Sequence, residues 1–353
     1  MDLSDPPMFP SNDANLLKDH LLVLTNAIVA TEIETLAISR FPAAGWDQAA
    51  AVERAAAGLK LPRGVDAPMV LRLTRHARLI GPYALGPRDA ALLGVPKFSA
   101  SVFIVEALEE RGDPPYPGGD RYGFNRAFPE GTPVRDEERV MHWLVAAARR
   151  LGGSIRVGGS GIVLTPDVQA GIDLTVFTDV WLEPETALSV MQRVAPDAHL
   201  AMDPTEWAGP PRGIGEPDAP GTTGLSEAAR QTLHAEADAF DMAALSAPPE
   251  LNGYGIQADL EAGGILILEV AGEEVLPVVL ASLPWAVNGA IAYRIRWEAP
   301  DFLELELEHA PPEHKAARAR ARGFVNALTR EVHRAVGGEV TDDGEFLVNP
   351  ADL

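Results

Sequence analysis

Arg139–Asp167 reads RVMHWLVAAARRLGGSIRVGGSGIVLTPD, and Gly323–Asp352 reads GFVNALTREVHRAVGGEVTDDGEFLVNPAD. The two stretches have the same grammar. In the first, Val140, Trp143, Leu144, Ala147 and Leu151 recur at helical spacing, which makes one apolar stripe. Arg149 and Arg150 fall in the last turn, where cations suit the negative end of the helix dipole. Gly152-Gly153 follows, and glycine closes helices because it enters the left-handed region without a Cβ clash. Phe324, Leu328, Val332 and Val336, with His333, Arg334 and Gly337-Gly338, repeat the scheme.

After each glycine pair a hairpin is expected. Ile155 and Val157 alternate, Gly158-Gly159-Ser160-Gly161 turns, and Ile162-Val163-Leu164 returns. In the second stretch Asp342-Asp343-Gly344 turns and Phe346-Leu347-Val348 returns. This agreement in order, length and turn chemistry points to an internal repeat. The fold class it implies is α+β: two ferredoxin-like sandwich halves with antiparallel-rich sheets and helices on one face.

Working outward, 1–60 reads as an N-terminal helical segment, 61–203 as the first half, 204–224 as a Pro- and Gly-rich linker, and 225–353 as the second half. Asn15–Ile38 has a helical apolar pattern, and its β-branched run leaves a strand open for the second part. Helices are expected at Asp47–Leu59, Pro87–Leu93, Pro184–Val194, Ser226–Leu245 and Glu274–Leu283. Strands are expected at Met69–Ile80, Ser99–Leu108, Ile172–Leu182 and Leu200–Asp203, with pairs at 255–260/265–271 and 290–298/302–309. In the last pair Arg294 and Arg296 are expected to oppose Glu304, Glu306 and Glu308.

The chain has 353 residues, 46% of them apolar, enough for real cores. It has no cysteine, which excludes disulfides, thiolate nucleophiles and Cys-based metal sites. The N-terminal MDLSDPPMFPSND reads as neither a signal nor a transit peptide, and no apolar run reaches membrane-spanning length, so a cytoplasmic location is expected. A net charge of −22 argues against nucleic acid and membranes as partners.

No nucleotide or catalytic signature stands out. GGSIRVGGSG follows a helix instead of opening one, and no GK[ST] is present. There is no HExxH and no GxSxG elbow followed by a helix, so neither cofactor nor metal is expected. Trp207, in EWAGPPRG, is a candidate interaction anchor. The basic face of Met69–Ile80, with Arg72, His76 and Arg78, and the long 112–135 loop, with Arg121, Tyr122 and Arg126, are the candidate ligand-binding residues. The leading expectation is a non-enzymatic protein-interaction or assembly protein with a protein partner or homo-oligomer. The alternative is a small anionic ligand held between the halves by those six residues.

Overall fold

The computed structural model describes residues 6–47, 68–201 and 253–353, less 12, 14, 15, 26, 27, 29 and 262, with a few positions between 226 and 235. The helices expected at Asp47–Leu59 and Ser226–Leu245, the linker at 204–224 and Trp207 fall wholly or largely outside these residues. The protein is α+β, with fourteen strands in two antiparallel seven-stranded sheets and six α-helices among the described residues.

The first sheet takes β1 (His20–Leu24), β2 (Gly45–Trp46), β3 (Met69–Arg72), β4 (Ala77–Ala84), β5 (Ser101–Ala107), β6 (Ser154–Arg156) and β7 (Val163–Leu164). Their order across the sheet is β2-β3-β4-β5-β1-β6-β7. The second takes β8 (Leu174–Thr178), β9 (His199–Leu200), β10 (Gly253–Leu260), β11 (Gly264–Glu273), β12 (Ala290–Glu298), β13 (Glu339–Asp342) and β14 (Leu347–Val348). From its β9 edge the order is β9-β10-β11-β12-β8-β13-β14. Counted within each sheet, both therefore run 2-3-4-5-1-6-7.

The helices are α1 (Ala30–Arg40), α2 (Pro87–Leu93), α3 (Phe124–Ala127), α4 (Arg135–Leu151), α5 (Pro184–Gln192) and α6 (Pro312–Val336). α1 follows the first strand of its sheet and α4 precedes the sixth; α5 and α6 hold the same places in the second sheet. The opening stretch thus behaves as its pattern predicts. α4 ends at Gly152 with φ +65°, β6 and β7 form the hairpin, and α6 ends at Gly337 before the β13–β14 hairpin.

Several expectations are corrected. Asn15–Ile38 is strand then helix, with a short 3-10 turn at Leu16–Lys18. β1 (HLLVL) is buried at every position because it is a central strand covered on both faces: Leu22 and Leu24 enter one core, Leu21 and Val23 the other. A strand buried on both faces loses its period-2 signal and reads like a helix. In α1, Ile33, Leu36 and Ala37 form the inward stripe, and Thr35 and Ser39 hydroxyls satisfy themselves on the carbonyls four residues back.

Met69–Ile80 is a hairpin and not one strand: β3 and β4 turn through 73–76. Glu274–Leu283 is irregular, and Phe302–Glu306 is a 3-10 turn and not the partner of β12. β12 pairs instead with β11 and β8, so Arg294 and Arg296 find Glu269 and Glu273 on β11. Helices do not lie on one face alone. α1 and α4 cover one face of the first sheet, while Phe9 and α2 residues Ala90 and Leu93 cover the other. Hydrogen bonding puts β1 at the centre of the first sheet and β8 and β9 in the second, so sheet membership changes between residues 164 and 174 and not at the Pro/Gly-rich linker.

The two halves are locked together by the β13–β14 turn. Phe346, 2% exposed, lies in the core of the first half. Around it Arg40 donates to the Gly344 carbonyl at 2.8 Å and pairs with Glu345 at 3.0 Å, Arg149 pairs with Asp343 at 2.5 Å, and Arg150 with Asp342 at 3.1 Å. Burying one such aromatic ring stabilises by about 2–3 kcal/mol.

Candidate functional site

The six residues singled out from the sequence separate into two places. Arg121 and Tyr122 line a cleft between the halves, whose volume is about 60 Å³. Arg126 sits on α3 and reaches across the same junction, donating to both Glu308 oxygens, Nε at 2.8 Å and Nη2 at 2.5 Å, and to the Val163 carbonyl at 3.0 Å. This bidentate bond and the Arg126 charge hold the Glu308 carboxyl below the ordinary range against the upward pull of burial.

Two further polar groups of the cleft are paired. Arg318, 6% exposed on α6, donates to Asp167 at 2.5 Å, and His314 lies 3.2 Å from Glu304. Burial pushes the Asp167 carboxyl up, but the Gln169 N–H and the Arg318 guanidinium outweigh it and leave it lowered. Arg121 stacks over the Tyr122 ring at 5.6 Å. Tyr122 and Phe124 pack edge-on against His142 of α4, and Phe124 against Phe128, so the aromatics of the 112–135 loop anchor it to the core. An anion entering this cleft would have to displace carboxylates already bonded to Arg126, Arg149 and Arg318.

Arg72, His76 and Arg78 meet elsewhere, in an open hollow of about 550 Å³ over the β3–β4 turn that shares no lining residue with the cleft. Arg72 and Arg78 are directly opposed in the β3–β4 register. Such like-charge pairing is unfavourable unless neutralised. Here Asp47 takes Arg72 at 2.7 Å and Glu106 takes the Arg78 Nε at 2.6 Å. Arg75 and His76, both exposed at the turn, have no ion pair among the described residues.

One polar centre carries no sequence signal, because its members lie 117 residues apart. His20 and Glu137, 6% and 2% exposed, form a buried pair in the first half. The His20 Nε2–H donates to Glu137 Oε1 at 3.2 Å, while Nδ1 accepts the Gly158 N–H at 3.1 Å, which sets the tautomer. Glu137 also accepts the Glu110 N–H at 2.7 Å and the Arg111 guanidinium. Burial first, then the Arg111 charge, lowers His20 to about 4, so the ring is neutral. Both ring nitrogens and the carboxylate are engaged within the fold, so this is a structural network. The Gly-rich run is its lid: Gly158 belongs to a hairpin turn and hands its N–H to histidine, not to a phosphate.

Among the described residues no group of three or more His, Asp or Glu is arranged to hold a metal ion, and no helix is long and apolar enough to cross a membrane. No family model, no curated protein and no solved structure matches the chain.

Proposed function

We propose that the chain is a cytoplasmic, non-enzymatic protein-interaction or assembly protein, built from two ferredoxin-like units related by an internal repeat. The shared 2-3-4-5-1-6-7 order supports the repeat. The ferredoxin-like reading rests on the central strands 4-5-1-6 of each sheet, joined through two helices on one face, which have the order of a split βαβ unit. The observation that carries the functional reading is the junction between the halves. Arg126, Arg149 and Arg318 are spent there on Glu308, Asp343 and Asp167 and Phe346 is buried across it, which supports one stable platform with open hollows on the outside. Recognition would use faces and grooves rather than strand addition, because all four edge strands (β2, β7, β9 and β14) are two residues long.

A second reading keeps the small anionic ligand but moves it to the β3–β4 hollow. Arg75 favours it, since it adds positive charge beside Arg72 and Arg78 without a carboxylate of its own among the described residues. Native mass spectrometry of protein purified from its own host separates the two. A defined homo-oligomer or a stoichiometric heteromer with no small ligand is expected. A bound small molecule, lost in Arg75→Ala, would replace the interaction reading with the ligand one.

A further inference from the structure

Tyr116 stands apart from the other aromatics of its loop. Tyr122, Phe124 and Phe128 pack on one another or on His142. Tyr116 is 86% exposed, the most of any large apolar side chain among the described residues. It lies in the run Asp113-Pro114-Pro115-Tyr116-Pro117-Gly118. From Pro114 to Gly118 no residue makes a hydrogen bond, ion pair or ring contact among the described residues.

The run is nevertheless stiff. Each proline fixes its own φ, and Asp113, Pro114 and Tyr116 each precede a proline, which drives them to extended backbone. Together these restraints favour a polyproline helix, with about three residues per turn. On such a helix Pro114 and Pro117 form one ridge and Tyr116 lies on the adjoining edge. The exposures agree: Pro114, Tyr116 and Pro117 are exposed, and Pro115 is half-buried. Both ends are tied down. Gly112 N–H donates to the Thr132 carbonyl at 2.9 Å, and Thr132 N–H to the Asp113 carbonyl at 3.1 Å. Beyond the run, the Asp120 carboxylate accepts the Asn125 N–H at 2.9 Å and the Arg126 N–H at 3.2 Å. A segment held in this way loses little conformational entropy on binding.

Its open backbone groups also select the partner. Prolines have no N–H, so from Pro114 to Pro117 the backbone offers four carbonyl acceptors and the single N–H of Tyr116. Strand addition needs donors on both sides and does not suit it. Resting on the interaction reading above, we propose that Pro114–Pro117 docks in an aromatic-lined groove of a partner protein. Pro114 and Pro117 lie against Trp or Tyr faces of that groove, its Trp N–H or Tyr O–H groups donate to the proline carbonyls, and the Tyr116 ring fills an adjoining hollow.

The test is to replace Tyr116 by the photocrosslinking residue p-benzoylphenylalanine in the full chain, irradiate it in its own host and map the crosslink by mass spectrometry. The crosslinked residue of the partner should lie among Trp, Tyr or Phe side chains. The purified partner should bind the synthetic peptide RGDPPYPG, residues 111–118, and should bind the full-length Tyr116→Ala and Pro117→Ala variants about tenfold more weakly than the unsubstituted chain. Arg75→Ala should leave binding unchanged. Tyr116→Ala should leave the urea midpoint unchanged, which separates lost binding from lost folding. A crosslink to a partner surface without aromatics, or binding indifferent to the Tyr116 and Pro117 variants, would overturn the polyproline docking and leave the interaction reading standing. A crosslink to a second copy of the chain would overturn the separate partner. No crosslink would overturn the segment as a docking site. Native mass spectrometry then decides the interaction reading by itself: a heteromer or homo-oligomer keeps it, and a monomer that retains a small ligand removes it.

Discussion

The two sheets have one strand order but treat their second faces differently. In the first, Leu21, Val23, Ile80, Val102 and Ile104 point away from α1 and α4 and are still buried, under α2 and Phe9. In the second, the face away from α5 and α6 carries Ile267, Glu269, Arg294 and Arg296, with Arg296 donating to Glu269 at 2.6 Å and Arg294 paired with Glu273. Among the described residues only its end, at Phe177, Ala290 and Ala292, is covered, by Leu280 and its neighbours. Topology therefore does not decide which faces are dry. The segment between the fourth and fifth strands does. In the first half it holds α2, with Pro87 at its start and Gly94 at its close. In the second it holds Pro277, Pro284 and Gly289 and forms no α-helix.

The sharpest way to break this comparison is one substitution made on both sheets. Ile80 on β4 and Ile267 on β11 occupy the fourth strand of their sheets and face away from the long helices. Ile80→Asp buries an unpaired charge and should lower the unfolding free energy by about 3–5 kcal/mol. Ile267→Asp, at a half-buried position, should cost clearly less, about 1–2 kcal/mol. Urea denaturation followed by circular dichroism reads both, and equal losses would mean that the second face is also covered.

Phe346→Ala asks whether the two halves are energetically one body. It should cost about 3–4 kcal/mol. The loss should appear in the first half, although the residue belongs to the β13–β14 turn. Hydrogen exchange of α4 amides would show it. Unchanged protection there would mean that the junction is only a surface contact.

The start of the first strand gives the smallest contrast, read as pH dependence. His20 opens β1, and burial followed by the Arg111 charge lowers it to about 4 from 6.5. The unfolded chain takes up its proton first, so stability should fall as pH drops from 6.5 towards 4, by up to about 3 kcal/mol. Asp173, just before β8, is raised to about 6 from 3.8, chiefly by burial and against the Trp297 N–H that it accepts at 3.0 Å. Here the folded state keeps the proton longer, so stability should fall as pH rises from 3.8 to 6, by about 1–2 kcal/mol for this half-buried group. His20→Gln should flatten the first slope and Asp173→Asn the second in pH-dependent urea midpoints. A single slope unaffected by either change would refute the assignment.

Much of this was legible in the residues. Helix, glycine stop and hairpin at 139–164 and 323–348 are local events, set by a 3.6-residue apolar period, a residue free to enter positive φ, and turn chemistry. Composition likewise decided that no cysteine chemistry is available. What local patterns could not carry was burial on two faces. HLLVL reads as helix because a strand covered on both sides has no polar alternation, and the 69–80 stretch hid a turn among residues that still alternate. The candidate site divided for a related reason. Arg72 and Arg126 look alike in sequence, but Asp47 lies 25 residues from the first and Glu308 lies 182 from the second. Side-chain type and period are properties of the chain. Which carboxylate meets which arginine, and which sheet face stays wet, depends on long-range packing, which only the tertiary structure decided.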